Sequence, residues 1–370
     1  ENVEITTYVF ANTPLEEIIN SEAITAIGTN AFQNCTELAA IDLSNVKSIG
    51  NVAFAGCTKL TEVDLSSCVT LGTNYTAARP TATSTTTTKY GIFEDCTALE
   101  TVIFPETPVL EKIGSMAFRN CTSLKSFTIP ASVDQIGSCA FMGSSISSIE
   151  VPASVTNIGS AAFEAMPELT TFKINSSTTI GTYAVANNPK LTTVIFGSGV
   201  KTTGSYMFQN CLALEDVTLN DGLETIQTST FEGSGLKTIT VPGSVKNIFG
   251  SAFLNCLSLT TVNLNEGLET LGTVSVNLNP TGKCFMGCEN LTNITLPKSL
   301  MSIGSDTFNG CTKIASLIIY EDMQTLGRQA FTGWTSDQVI YICMTEYDVT
   351  GAWYENVSTS MNYTYLSDTD

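Results

Sequence analysis

The sequence predicts a repeat solenoid, in which short coils stack on one another to form one elongated domain. The first observation is a unit, IGSMAFRNCTSLKSFTIP at residues 113–130, that recurs thirteen times in the 370 residues. The second is its spacing, because ten of the twelve steps between units are 22 to 25 residues. The third is length, since a single core of this size would divide into domains, whereas stacked coils contact only their neighbours. The Phe of the unit, replaced once by Val, recurs at Phe32, Phe54, Phe93, Phe118, Phe141, Phe163, Val185, Phe208, Phe231, Phe253, Phe285, Phe308 and Phe331.

Both ends of the chain are predicted to be caps, because the terminal coils of a parallel ladder leave backbone N–H and C=O groups unpaired. Residues 1–23, which include Phe10, are the predicted N-terminal cap, and residues 24–338 are the predicted solenoid. Residues 339–370 are the predicted C-terminal cap, in which VIYIC at 339–343 is a last strand. Four aromatic residues then cover the open end or, alternatively, form a ligand platform: Trp353, Tyr354, Tyr363 and Tyr365.

Each coil divides into segments according to the period of its apolar residues. The first segment, as in LKSFTIP at 124–130, alternates apolar and small polar residues, which predicts a strand of a parallel ladder on the concave side. Pro130 lacks an N–H group and ends it. The second segment, as in VDQIG at 133–137, predicts a shorter strand or extended rung. Gly137 and Gly159, which follow second segments, are expected to turn the chain with a positive φ.

The third segment, Ala-Phe-x-x-Cys, is too short for more than one helical turn. Its Phe is the largest repeated apolar group, and stacking it once per coil at about 4.8 Å, the spacing of paired strands, would build an aromatic spine. We interpret this spine as structural core.

The combined pattern IGxxAFxxCxxLxxφxφP, where φ is apolar, resembles the BspA-type leucine-rich repeat of surface proteins from anaerobic bacteria and some protists. The resemblance covers roughly residues 24–338. It implies a leucine-rich-repeat solenoid of about thirteen rungs, each of 22–25 residues. It also implies a surface adhesin or host-matrix binder, and it brings no catalytic residues.

Composition and charge exclude several classes of function. The 16 Lys and Arg against 35 Asp and Glu give a net charge of −19, which disfavours nucleic-acid partners. The chain has no run of about twenty apolar residues, so no transmembrane segment is expected. It has no His, the commonest general base, so no enzyme activity and no cofactor are expected. Because it begins at Glu1 without Met, we expect either that a leader was removed or that the chain was trimmed, and a secreted or cell-surface location fits.

The twelve cysteines follow the repeat rather than a disulfide or zinc pattern. Eight of them stand three residues after the repeated Phe, a position that suits a small buried group donating weakly to a backbone carbonyl. Their Cβ vectors would run parallel, so we predict reduced, unreactive thiols. These eight are Cys35, Cys57, Cys96, Cys121, Cys211, Cys256, Cys288 and Cys311.

Two long steps between units mark insertions at about residues 72–90 and 273–283. Both enter at the same point of the repeat, so we expect them to project from one edge, eight rungs or roughly 38 Å apart. Loops on a rigid scaffold often carry function, although a tolerated insertion explains them equally well. The candidate binding residues here are Arg79, Thr85, Asn277 and Asn279.

The outward positions of the first segments are the other candidate partner-binding surface. They carry mostly Thr, Ser and Asn, which can hydrogen-bond to an extended chain or a sugar with little loss of side-chain entropy. The structural alternative is that β-branched Thr simply suits exposed strands. The candidates are Asp42, Glu62, Asp64, Thr101, Thr128, Glu150, Lys173, Thr193, Thr218, Thr240, Asn263, Thr295 and Tyr320.

The acidic candidates at the start of this surface, Asp42, Glu62 and Asp64, do not predict a reaction centre. Glycoside hydrolysis needs a cleft with one carboxyl in an apolar pocket, and calcium loops follow a pattern that is absent. We therefore predict a monomeric, non-enzymatic extracellular scaffold that binds a host-matrix or cell-surface protein. The alternatives are a glycan-binding module and a structural spacer of a larger surface protein.

Overall fold

The computed structural model of the chain is a parallel β-solenoid of about 14 turns, as the repeat predicts, and the residues that it describes include almost no helix. It forms two compact units, Glu1–Leu191 and Thr192–Asp370. The structure describes residues 3–72, 89–105, 107–175, 179–272, 282–343 and 362–365.

The first unit contains one 3-10 helix, Ser21–Ala23, and short strands. Its continuous element is an eight-stranded parallel sheet in the order β1-β2-β3-β5-β7-β8-β10-β12. From β3 onward this sheet consists of second segments, each contributing two residues per coil. First segments pair separately, β4 with β6 and β9 with β11. The strands are β1 Val3–Ile5, β2 Ile24–Ile27, β3 Ser48–Ile49, β4 Glu62–Asp64, β5 Thr70–Leu71, β6 Thr101–Ile103, β7 Lys112–Ile113, β8 Gln135–Ile136, β9 Ser148–Val151, β10 Asn157–Ile158, β11 Thr171–Ile174 and β12 Thr179–Ile180.

The second unit repeats this arrangement. Its second segments form a five-stranded parallel sheet, β14-β16-β18-β20-β22, and its first segments form two three-stranded sheets, β15-β17-β19 and β21-β23-β24. The strands are β13 Thr193–Phe196, β14 Thr225–Ile226, β15 Thr238–Val241, β16 Asn247–Ile248, β17 Thr261–Leu264, β18 Thr270–Leu271, β19 Asn293–Thr295, β20 Ser302–Ile303, β21 Ser316–Ile319, β22 Thr325–Leu326, β23 Val339–Ile342 and β24 Asn362–Tyr365.

The third segments hold the core together without extended strands. Residues two before and two after the repeated Phe have positive φ, as at Asn30 (59°) and Asn34 (56°) around Phe32, with the exception of Gly91, two before Phe93. Alternate N–H groups then point to the next coil, where Phe32 donates to the Ala53 carbonyl and Asn34 to the Ala55 carbonyl, both at 2.8 Å. Asn and Gly are frequent at these positions because they tolerate the left-handed conformation.

The predicted aromatic spine is present as one stack in each unit. From Phe10 to Phe163, consecutive rings stack with centroids 5.1 to 5.6 Å apart, and from Phe208 to Phe331 they are 5.1 to 5.8 Å apart. These distances exceed the expected 4.8 Å because aromatic rings prefer an offset over a face-to-face arrangement.

The expectation of a positive φ at the glycines after the second segments is confirmed at Gly272, where φ is 76°, and is wrong at Gly137 and Gly159, neither of which has a positive φ. A Cβ at Gly137 would lie 2.4 Å from the Ser115 nitrogen, and one at Gly159 would lie 2.3 Å from the Ser138 nitrogen. These glycines are therefore required by the close approach of neighbouring coils.

The ends contain one more coil than the thirteen units predict. Strand β1 pairs with β2, and Phe10 stacks on Phe32, so the segment before residue 24 is itself a coil with a reduced motif. The predicted strand at 339–343 is present as β23, but it is not the last, because β24 pairs with it in parallel. Trp353 and Tyr354 lie outside the described residues.

Candidate functional site

We use the name first-segment face for the outward side of the first segments within each unit; seven of the thirteen candidates lie in the first unit and six in the second. Alternation holds along these segments, so the candidate side chains point away from the core. Ten of the side chains are exposed, and Asp64, Lys173 and Tyr320 are half-buried. Asp42, Thr128 and Tyr320 lie outside strands, and Thr218 forms an isolated bridge with Ile195.

Strand register brings some candidates together on neighbouring coils. Glu150 stands opposite Lys173, with 4.0 Å between the carboxylate oxygen and the ammonium nitrogen. Asn263 stands between Thr240 and Thr295, and its side-chain amide donates to the Thr240 hydroxyl at 3.1 Å. The face therefore presents a ladder of short polar groups, several already hydrogen-bonded to one another.

Two acidic candidates have local structural tasks. The Asp42 carboxylate accepts the Ser44 N–H at 2.9 Å, and hydrogen bonds from Ser44 lower the pKa of Asp42. The Asp64 carboxylate accepts the Ser66 N–H at 2.9 Å. Among the described residues no group of three or more His, Cys, Asp or Glu side chains is arranged to hold a metal ion. In the same part of the chain, no helix is long and apolar enough to cross a membrane.

The first-segment face opens into a cleft between the coils of Phe93 and Phe118. We call it the Phe104 cleft. Its volume is about 390 Å³, and the Phe104 and Phe127 rings meet edge to face with centroids 5.6 Å apart. It is lined by Glu100, Thr101, Val102, Phe104, Pro105, Pro108, Ser126, Phe127, Thr128 and Pro130.

The cleft exists because the core-facing side chains of this coil are incompletely covered. Val102 and Phe104 are half-exposed, whereas the corresponding Ile149 and Val151 are fully buried. Strand β6 pairs with β4, and the next first segment, residues 124–129, forms no strand. Within the described part of the chain, the N–H groups of Ser126 to Thr128 make no backbone hydrogen bond. The ladder is interrupted here.

Sequence reasoning did not find this cleft, although it included Thr101 and Thr128 as candidates. The available signal was the step of 25 residues from Phe93 to Phe118, combined with the sequence FPETP after the strand. The connection from Pro105 to Leu110 spans five positions, against three from Pro130 to Val133. Proline at both 105 and 108 prevents these extra residues from extending the ladder.

The candidates on the insertions, Arg79, Thr85, Asn277 and Asn279, lie outside the described residues. The end of the first insertion is firmly held where it rejoins the coil. Glu94, of which 1% is exposed, accepts the N–H groups of Tyr90 and Gly91 at 2.8 and 3.0 Å. Its other oxygen lies 2.5 Å from the Arg119 guanidinium.

Comparison with known protein families agrees with this architecture. The model of the BspA type leucine rich repeat region, in six copies, matches residues 3–89, 86–215, 178–277 and 281–362. The chain belongs to the BspA type leucine rich repeat family. A search of curated proteins gives no match.

Several solved structures are similar to this chain. A leucine-rich repeat protein from Bacteroides ovatus is 22% identical, with a TM-score of 0.51, over 87% of this chain and 88% of that one. The pneumococcal vaccine antigen PcpA is 17% identical, with a TM-score of 0.50, over 98% and 84%. A leucine rich cell surface protein from Faecalibacterium prausnitzii is 25% identical, with a TM-score of 0.44, over 82% and 83%. The similarities to the Bacteroides ovatus protein and to PcpA show a shared fold.

The cysteines of the BspA-type repeat stabilise the coils, as predicted. All twelve are free, and seven of the eight in the repeat position donate to the carbonyl of the Phe one coil earlier at 3.0 to 3.2 Å. Asn188 and Trp334 fill the same position and donate to the Phe163 and Phe308 carbonyls. Burial raises the pKa of Cys57 and Cys311 to about 12, which keeps both as unreactive thiols.

Proposed function

We propose that this chain is a non-enzymatic extracellular scaffold that binds a protein partner through its first-segment face, in adhesion to host or neighbouring cells. Membership of a family of repeat scaffolds typical of bacterial surface proteins supports the surface location. The observation that carries the binding role is the Phe104 cleft, where the half-exposed Phe104, Pro105 and Pro108 add apolar surface to an otherwise short, polar face. Such a combination of an apolar centre and a polar rim characterises binding surfaces.

The remainder of the face supports the same role. Its exposed Thr and Asn side chains lose little conformational entropy when they form hydrogen bonds to a partner. They also stand at regular intervals on neighbouring coils, as Thr240, Asn263 and Thr295 do. An extended chain lying across the coils would meet one such group per coil.

The proposal is tested with immobilised extracellular-matrix proteins and cell-surface glycans. The intact chain is compared with a face variant, Thr101→Trp, Thr193→Trp and Thr240→Trp, at three exposed first-segment positions. The control places Trp at the exposed second-segment positions Asn157, Thr179 and Gln324. We expect the face variant to lose at least about tenfold in affinity, because bulky groups at an interface prevent close packing.

Equal binding by the two triple variants would contradict the proposal and would direct attention to the insertions. Chains in which residues 73–88 or 274–281 are deleted separate that possibility. If no matrix protein or glycan binds the intact chain, the spacer function predicted as an alternative is favoured.

The glycan-binding alternative is favoured by one feature of the cleft. The Phe104 and Phe127 rings stand beside the hydroxyl groups of Thr101, Ser126 and Thr128. Aromatic faces and hydroxyl groups together suit the apolar and polar sides of a sugar ring. In the same experiment, retention on glycans with none on proteins would select this function.

A further inference from the structure

We propose that the Phe104 cleft binds an extended peptide segment that carries one apolar side chain and, beside it, Lys or Arg. This inference rests on the proposed function and names the partner's chemistry. Three independent features of the cleft support it: an apolar seat, unpaired backbone and an acidic border.

The apolar seat is built from aromatic and proline side chains. Phe104, Pro105 and Pro108 are half-exposed and line the cleft together with the buried Phe127 and Pro130, and the Phe104 and Phe127 rings meet edge to face. Val109, of which 48% is exposed, follows Pro108 and extends the apolar surface. The volume of about 390 Å³ lies in the range of natural ligand pockets and accommodates a short stretch of peptide.

The unpaired backbone favours an extended peptide. One edge of β6 is hydrogen-bonded to β4, and the opposite edge faces residues 126–128 without pairing. Extended segments bind to free sheet edges through main-chain hydrogen bonds, and pockets for alternate side chains supply the specificity. The N–H groups of Ser126 to Thr128, which make no backbone hydrogen bond to any described residue, are available as donors to a peptide backbone seated in the cleft.

The acidic border determines the charge of the occupant. Glu62 is in register with Thr101, and Glu100 lines the cleft itself. Both side chains are exposed, and neither forms an ion pair with any described residue. Asp64 follows on the same strand as Glu62. A Lys or Arg next to the apolar residue would face this group, and charge complementarity of this kind increases both specificity and association rate.

The charge changes sign on the other side of the cleft. Lys125 occupies the position on its coil that Glu100 occupies one coil earlier, and it is exposed. The basic residue of the peptide is therefore placed toward Glu62 and Glu100, away from Lys125. A second copy of this chain is a poor occupant, because each copy carries a net charge of −19.

The test uses fluorescein-labelled nonapeptides and the full chain, with binding followed by fluorescence anisotropy. The probe peptides have Leu or Pro at the centre and two Lys beside it in a Ser background. One matched set replaces Lys by Glu, and another replaces the central residue by Ser. We expect the Lys set to bind at least about tenfold more tightly than either matched set, and its affinity to fall with added salt.

Substitutions locate the binding to the cleft. Thr101→Trp obstructs the seat, and Glu62→Lys reverses the border charge. Both residues are exposed, so urea unfolding should show the same midpoint as for the unsubstituted chain. The matched controls are Thr238→Trp and Asp216→Lys, which occupy the same repeat positions in the second unit. We expect each cleft substitution to weaken peptide binding at least about tenfold and each control to leave it unchanged.

Failure of this inference and failure of the proposed function give different results. If no peptide binds, or if cleft and control substitutions act alike, the inference is wrong. In that case the triple Thr→Trp face variant still tests the proposed function. A matrix protein that binds the first-segment face without occupying the cleft would still lose affinity for this variant. If no peptide binds, and if free sugars bind in a way that Thr101→Trp blocks, the occupant of the cleft is a glycan and not a peptide.

Discussion

Two parts of the first-segment face have the same repeat motif and different structures. In the second unit, β15, β17 and β19 pair in continuous register, with Thr238 opposite Thr261 and Asn263 opposite Thr295. In the first unit, the ladder stops after β6 and the Phe104 cleft opens. The comparison shows that long insertions after the second segment leave first segments paired, whereas the interruption at residues 126–128 adjoins two additional residues between a first and a second segment.

The long insertions demonstrate this. Residues 273–281 separate β17 from β19, and residues 73–88 separate β4 from β6, yet both pairs are intact. These insertions follow the second segment, after the coil has completed both of its strands. The two additional residues between Pro105 and Leu110 enter between the first and second segments instead. Beside them the first segment at residues 124–129 forms no strand, while the second-segment sheet continues without a break through β7 and β8.

The largest expected difference in the free energy of unfolding is between a substitution in the closed core and one in the open cleft. Phe54 is fully buried and stacks at 5.1 Å on Phe32 and 5.4 Å on Phe93, whereas Phe104 is half-exposed in the same unit. We expect Phe54→Ala to reduce the free energy of unfolding by about 3–5 kcal/mol and Phe104→Ala by about 1–2 kcal/mol. Urea unfolding of both variants measures the difference. Equal losses would show that the cleft is closed in solution.

The next effect concerns the contact between coils at the second segments. A Cβ at Gly327 would lie 2.2 Å from the Ser305 nitrogen, while the nearest atom to a Cβ at Gly222 is the Ser198 oxygen at 3.2 Å. We expect Gly327→Ala to destabilise by about 2–3 kcal/mol, because the overlap is with backbone, and Gly222→Ala by less than about 1 kcal/mol. Chemical denaturation provides the comparison. If Gly327→Ala is no more destabilising than Gly222→Ala, neighbouring coils can move apart at residue 327 with little loss of stability.

A smaller effect links the core thiols to pH. The folded-state pKa of Cys57, about 12 because of burial, exceeds its ordinary value of 9.0, so the folded state holds a proton that the unfolded state loses. This contribution is complete below about pH 9 and is lost as pH rises toward 12. Between about pH 8 and about pH 10.5 we expect each such thiol to lower the unfolding free energy by about 1–2 kcal/mol.

Replacement of a thiol isolates this effect from the ionisation of Lys and Tyr. Urea midpoints are measured for the unsubstituted chain and for Cys57→Ser, a residue that already fills the equivalent position at Ser144 and Ser234. The Cys57→Ser chain should lose less stability between the two pH values. An identical pH dependence would indicate that Cys57 ionises in the folded state.

The repeat motif predicted most of the fold because each of its positions has one dominant physical role. Phe32 and its counterparts are large and apolar, Cys57 and its counterparts are small donors, and both roles follow from residue type and spacing. The role of Gly137 was predicted incorrectly, because a close approach between coils and a positive φ both require glycine. Only the position of the neighbouring coil shows which of these two requirements applies at a given glycine.

The candidate site was predicted in part. Alternation correctly placed Thr101 and Thr128 on the exposed side of their coils, since a period of two fixes the direction of a side chain. The cleft between them depends on whether two coils pair, which is a property of three-dimensional spacing. Phe104 was therefore expected in the core but is half-exposed, whereas Phe127, which also lines the cleft, is buried as the alternation predicts.

Hydrogen exchange of backbone amides tests the central claim, that the first-segment ladder is interrupted at residues 126–128 and intact across β15, β17 and β19. The amides of Phe127 and Thr128 should exchange rapidly, and those of Val262 and Asn263 should be protected, because only the latter lie in a paired strand. Deleting Thr107 and Pro108, which restores the usual connection length, should then protect residues 127 and 128. Equal protection of the two regions in the unaltered chain would contradict the account.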